Sequence, residues 1–180
     1  MNQPANGEHP ARVRSALDEF EGPLLRYAQR ITGDVERARD VVQETFLRLW
    51  KEDAAELDGR LPQWLFTVCR NLALDVRRKE QRMTSLAELT HPRDFQKSLG
   101  CSEDPPPDET AATADAAEQV AGWLNRLPAN QQEVIRLKFQ NGLKYKQIAE
   151  ITGLSVTNVG FLIHKGIAAL REKARLHMAE

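Results

Sequence analysis

The chain has 180 residues and a formal net charge of −1, with 41% hydrophobic, 28% charged and only 6% aromatic residues. That balance excludes a disordered or membrane-embedded chain and fits one helical domain or two small ones. No apolar run reaches membrane-spanning length, the opening MNQPANGEHPARVR lacks an apolar signal core, and Cys69 and Cys101 have no metal-ligand spacing, so a cytoplasmic protein with two free thiols and no membrane insertion is expected.

Residues 1–11 are polar and contain Pro4, Gly7 and Pro10, which reads as a disordered lead-in. From Arg12, the apolar residues Leu17, Phe20, Leu24, Tyr27, Ala28 and Ile31 recur at three- and four-residue steps and predict a helix that Pro23 breaks or kinks. Gly33-Asp34 marks a stop and a capped restart. The second helix, Asp34 to about Lys51, carries Ala38, Val41, Val42, Thr45, Phe46, Leu49 and Trp50 on its apolar side. Asp40, Gln43 and Glu44 form an acidic and amide patch on the other side, with Arg48; on these residues alone it reads first as a solvated helix face.

The loop EDAAELDGRL leads to Pro62, which suits the first turn of a third helix running to about Met83 and burying Leu65, Val68, Cys69, Leu72 and Val76. Its second half is basic, with Arg70, Arg77, Arg78, Lys79 and Arg82 against Asp75 and Glu80, and Trp64 and Phe66 stand at its start. Rings and cations on one element suit single-stranded DNA; the competing reading makes Trp64 core and the cations a complement to the helix dipole. Residues 84–114 lose periodicity and carry Pro105, Pro106 and Pro107, and from Glu103 to Glu118 the chain has acidic but no basic residues, which predicts a flexible linker. It separates a first domain, 12–83, from a second, 115–176.

The second domain opens with a helix carrying Ala117, Val120, Ala121, Leu124 and Leu127 beside Trp123, then a helix from Pro128 whose Val134, Ile135, Leu137 and Phe139 supply core. Gly142 to Arg171 reads as a helix-turn-helix: Ala149 permits close approach, Gly153 takes the turn, and Ser155 caps a second helix. There Val159 and Ile163 face inward, and Thr157, Asn158, Phe161, His164 and Lys165 are free to face a DNA major groove. The expected fold is all-α: two small helical domains on a flexible acidic, proline-rich linker, with the helix-turn-helix in the C-terminal one. His9, His91, His164 and His177 are scattered, and no metal-binding histidine pair, phosphate-cradling glycine loop or nucleophile elbow occurs, so no metal, cofactor or enzymatic activity is expected.

Two blocks of sequence resemble a known family. Tyr27-Ala28, Gly33-Asp34, DVVQETFLRLW and LPQWLFTVCRNLALDVRR are similar to the first conserved domain of bacterial RNA polymerase sigma factors of the extracytoplasmic-function (ECF) type, and RLPANQQEVIRLKFQNGLKYKQIAEITGLSVTNVGFLIHKGIAALRE is similar to their C-terminal domain. The resemblance implies that Asp40, Gln43 and Glu44, with Phe46, Leu47 and Trp50, dock on the β′ clamp helices of core RNA polymerase. It implies that the Glu52 to Leu61 loop with Trp64, Asn71, Arg77 and Arg78 holds the −10 promoter element open. It further implies that Ser155, Thr157, Asn158, Phe161, His164 and Lys165 read the −35 element. Its implied partners are core polymerase, through the β′ clamp helices and β flap, promoter DNA and an anti-sigma factor. The chain departs from the family where Gly160, Leu162, Gly166 and Ile167 replace residues often basic or polar in relatives, which predicts a weak phosphate grip and leaves Phe161 and Leu162 for packing or a regulator contact. An acidic balance agrees with a subunit whose polymerase supplies the nonspecific DNA affinity. The alternative, a helix-turn-helix transcriptional regulator that replaces no polymerase subunit, usually places alternating strands and helices first, and none are evident before residue 84.

Overall fold

A computed structural model of the chain describes residues 8–52, 57, 59–88 and 111–177, which form seven helices in two compact units divided between residues 101 and 102. No strand occurs among the described residues.

The first unit holds α1 (Glu8–Thr32), α2 (Val35–Lys51) and α3 (Leu61–Glu88), each packed on the other two. Its core is the meeting of three apolar stripes: Leu24, Tyr27 and Ala28 from α1, Ala38, Val41, Val42 and Leu49 from α2, and Leu65, Phe66, Cys69 and Ala73 from α3. Each fully buried leucine or phenylalanine among them contributes about 1.5–3 kcal/mol. Tyr27 and Phe66 meet edge to face with ring centroids 5.3 Å apart. The buried Thr45 hydroxyl donates to the Val41 carbonyl at 2.7 Å, so a polar group enters this core without an unmet hydrogen bond. Between α1 and α2 the chain turns through Gly33, at φ 74°, and restarts where Asp34 Oδ1 accepts from the Arg37 amide at 2.9 Å.

Several expectations are corrected here. The lead-in is shorter than expected, because α1 already begins at Glu8; His9 Nε2 lies 2.9 Å from the Trp50 carbonyl and its ring packs edgewise on the Trp50 indole. Residues 1–7 lie outside the described residues. Pro23 does not break α1, which is assigned as one helix across it. Phe66 is core and not part of an exposed aromatic and basic surface. On the loop before α3, residues 53–56 and 58 lie outside the described residues, while Leu57 is buried. Residues 84–88 and 111–114 are helical, and residues 89–110, with His91 and Cys101, lie outside the described residues.

The second unit holds α4 (Ala111–Asn125), α5 (Ala129–Phe139), α6 (Tyr145–Thr152) and α7 (Val156–His177), with α7 packed on the other three. Leu124, Leu127, Val134, Ile135, Leu137, Ile148, Ile151, Val159 and Ile163 make its core. Val120 and Phe139, expected in that core, are exposed instead: Val120 lies on the side of α4 that α7 does not cover, and Phe139 is the last residue of α5. Gly153 ends α6 at φ 74°, its amide donating to the Ala149 carbonyl at 2.9 Å, and α7 leaves at 103° to α6. Leu162 is buried, and a β-carbon on Gly166 would overlap Ile135 Cδ1 of α5, so these two departures from a basic recognition helix are turned into the core and do not face a groove. No single helix among the described residues is long and apolar enough to cross a membrane.

Candidate nucleic-acid interface

On α2, residues 40, 43, 47 and 50 follow one another at three- and four-residue steps and so form a single stripe. Asp40 and Gln43 are exposed, and Leu47 and Trp50 are 49% and 52% exposed although both are large and apolar. Glu44 flanks the stripe, half-buried, with Arg48 Nε donating to its Oε1 at 2.9 Å. Phe46 does not join the open surface; at 7% exposure it closes the floor of a groove of about 520 Å³ between α1 and α2. Val13, Leu17 and Leu25 of α1 line the same groove with Val42, Leu47 and Trp50, and its polar lining is Glu21, Arg39 and Gln43. The three α1 residues were not among the expected contacts, since helical spacing marks an apolar face without showing whether a neighbour covers it.

On α3, Trp64, Asn71 and Arg78 are spaced by seven residues, which places them on one face along roughly 21 Å of helix. Trp64 is half-buried, while Asn71, Arg77 and Arg78 are exposed. Arg78 Nη1 pairs with Asp75 Oδ1 at 3.2 Å, an open i,i+3 pair that water and salt screen strongly. Across the unit, Arg37 of α2 pairs with Glu80 of α3. That contact ties the patch-bearing helix to the basic one.

In the second unit, Ser155 Oγ accepts from the Asn158 amide at 3.2 Å and caps α7. Val159 and Ile163 turn inward, and Thr157, Asn158, Phe161, His164 and Lys165 turn outward. Phe161 is 59% exposed at the centre of that face, with the Lys165 ammonium 5.9 Å from its ring centroid. Tyr145 of α6 lies beside Gly160, its ring 3.6 Å from where a β-carbon would stand, and Lys138 sits 5.5 Å over the same ring.

Cys69 is enclosed by the first unit, and burial pushes its thiol up to about 12, partly offset by a hydrogen bond from Thr45. A thiol so held is protonated at neutral pH and chemically quiet. Among the described residues no group of three or more His, Cys, Asp or Glu could hold a metal ion.

The sigma-70 region 2 family model matches residues 17–83 and the sigma-70 region 4 model matches residues 117–170. The ECF RNA polymerase sigma factor SigL of Mycobacterium tuberculosis is 36% identical over 163 residues, covering 89% of this chain and 88% of that protein. SigW of Bacillus subtilis, also an ECF RNA polymerase sigma factor, is 25% identical over 162 residues, covering 88% and 87%. Among solved structures, the sigma factor RpoE of Bartonella quintana, crystallised with the anti-sigma factor NepR, shares the fold with a TM-score of 0.69 at 24% identity, covering 91% of this chain and 97% of that one.

Proposed function

The chain belongs to the ECF sigma factors of the sigma-70 family, and from that premise we propose how its surfaces divide the work of a promoter-directing polymerase subunit. As a sigma factor it binds core RNA polymerase and directs promoter recognition and transcription initiation. The α2 stripe of Asp40, Gln43, Leu47 and Trp50, with Glu44 beside it and Phe46 beneath, is the contact for the β′ clamp helices. Trp64, Asn71, Arg77 and Arg78 of α3 receive the opened −10 strand, the ring stacking on a base and the cations following phosphates. Ser155, Thr157, Asn158, Phe161, His164 and Lys165 of α7 face the −35 duplex, with the β flap holding the second unit in place. The working boundaries are 12–83 for the polymerase and −10 domain and 115–176 for the −35 domain, with 84–114 between them. An anti-sigma factor covering these surfaces is the natural regulator of this chain; the Bartonella protein was crystallised in complex with one, NepR. The chain itself catalyses nothing; the chemistry belongs to the polymerase.

One observation carries the polymerase contact. Leu47 and Trp50 stand about half open to water on the same stripe as Asp40 and Gln43, a cost that a docking surface accepts and a solvated face has no use for. The test is reconstitution: core polymerase lacking sigma, mixed with the full chain, should begin transcripts at discrete promoters. A regulator that replaces no subunit would leave core polymerase unable to initiate, and that outcome would return the assignment to the helix-turn-helix regulator.

A further inference from the structure

We propose that Arg37 of α2 is a positioning residue for promoter opening: by holding the Glu80 carboxylate it keeps Arg77 of α3 open to a DNA phosphate. This rests on the assignment of Arg77 to the opened −10 strand and adds what keeps that cation available.

Glu80 is an acidic residue set in a basic run, Arg77-Arg78-Lys79-Glu80-Gln81-Arg82. On a helix its neighbours lie three and four positions away, and these are Val76, Arg77, Met83 and Thr84. Arg77 is therefore the one cation of α3 that shares its face. Left to α3 alone, the carboxylate would draw the Arg77 guanidinium into an i,i+3 pair like that of Arg78 with Asp75. Glu80 turns instead toward α2, where Arg37 pairs with it. Its side chain is 26% exposed against 61% for Asp75, so water screens the pair with Arg37 less than the open one. Arg77 stays exposed, and its side chain enters no ion pair or hydrogen bond among the described residues. The position of Arg37 is itself informative. It is the third residue of α2, where a cation opposes the helix dipole, so its favourable partner lies across the interface and not within its own helix. A direct phosphate contact is the other use of a half-exposed arginine beside a basic run, and the experiment below separates the two.

The test measures binding of the full chain, assembled with core polymerase, to promoter DNA held open across the −10 element by mismatches, at several salt concentrations. Arg37→Gln should weaken binding by about threefold, because Glu80 then takes Arg77. The slope of log affinity against log salt should become shallower by up to about 0.7, the share of one phosphate contact on a single strand. Glu80→Gln should bind at least as tightly as the parent, and adding it to Arg37→Gln should restore the parent affinity and slope. In a chain that already carries Arg77→Gln, Arg37→Gln should have no further effect, a result that loss of packing would not produce. Parent-like binding by Arg37→Gln beside a weakened Arg77→Gln overturns the proposal and leaves the −10 assignment standing. A defect of Arg37→Gln that persists with Glu80→Gln or with Arg77→Gln also overturns it, since Arg37 then acts without either residue. Parent-like affinity and slope in Arg77→Gln overturn both the proposal and the assignment of Arg77 beneath it.

Discussion

A β-carbon on Gly166 of α7 would overlap Ile135 Cδ1 of α5, so a larger residue at 166 fits only if the end of that isoleucine side chain moves, with Leu127 Cδ1 and Gln131 Oε1 completing the wall. Alanine at 166 would gain roughly 1 kcal/mol of helix propensity and lose about 1–3 kcal/mol to overpacking. Gly166→Ala should therefore destabilise the second unit by about 1 kcal/mol. Ile135→Val, which removes the obstructing methyl, should cost about 1 kcal/mol alone and far less in the presence of Ala at 166. Denaturant unfolding of both single variants and the double variant checks this; strictly additive costs would show that the two residues do not touch.

Cys69 gives a prediction in pH. Its thiol rises from 9.0 to about 12 on folding because burial disfavours the thiolate, so between those values the folded chain holds a proton that the unfolded chain has released. The contribution is fully present below about pH 9 and is lost as pH rises toward about 12, at up to roughly 1.4 kcal/mol per pH unit. Stability measured against pH should fall more steeply for the parent chain than for Cys69→Ala above about pH 9. At neutral pH the thiolate fraction is about a thousandfold below that of an ordinary cysteine, so a Cys101→Ser protein should resist alkylation until denaturant is added. Rapid labelling of the native protein at Cys69 would contradict the burial.

The α2 stripe can be tested without disturbing the fold. Leu47→Ala with Trp50→Ala removes two side chains that contribute little to the core, and Gln43→Ala with Glu44→Ala removes the polar half at the cost of one open pair with Arg48. Each pair should shift the melting temperature by no more than about 2 °C while weakening core polymerase binding by about 10-fold or more. Fluorescence titration of labelled chain with core enzyme measures it, and unchanged affinity in both pairs would remove this face from the assembly.

For α3, Arg77→Gln and Arg78→Gln should alter salt dependence more than sequence preference. Each cation removed from a phosphate of a single strand lowers the slope of log affinity against log salt by about 0.7. The double variant in polymerase complexes should show a slope shallower by about 1.4 on opened promoter DNA, with the selected −10 sequence unchanged. Trp64→Ala should do the reverse, leaving the slope and weakening discrimination.

What the sequence disclosed, and what it withheld, follows from how far each signal reaches. The capped restart at Gly33-Asp34, the turn at Gly153 and the Ser155 cap are written in a few adjacent residues, and the structure forms each. Trp64 and Phe66 look like one aromatic surface, yet residues two apart point about 200° away from each other on a helix, so burying Phe66 on Tyr27 leaves Trp64 outside the deepest core. Val120 and Phe139 keep the helical period of core residues, but a period says nothing about whether another helix arrives to cover them. Gly166 finds its place only because α5 lies against α7, a pairing that no short stretch of residues encodes. At the early start of α1, His9 meets Trp50, 41 residues away, a contact that no local pattern contains. The candidate surfaces were legible mainly through their motifs, while the groove that α1 adds to the α2 stripe was not.

The joint at Gly153 has an implication for how such proteins diverge. Because a left-handed residue sets the 103° between α6 and α7, and Val159 and Ile163 anchor α7 from behind, the outward residues have no part in holding the helix at its angle. Thr157, Asn158, Phe161, His164 and Lys165 can therefore be exchanged over evolutionary time, or by design, as a set of letters on a fixed mount. With the −35 role proposed for this face, new promoter preferences would become accessible through single substitutions that leave the protein folded.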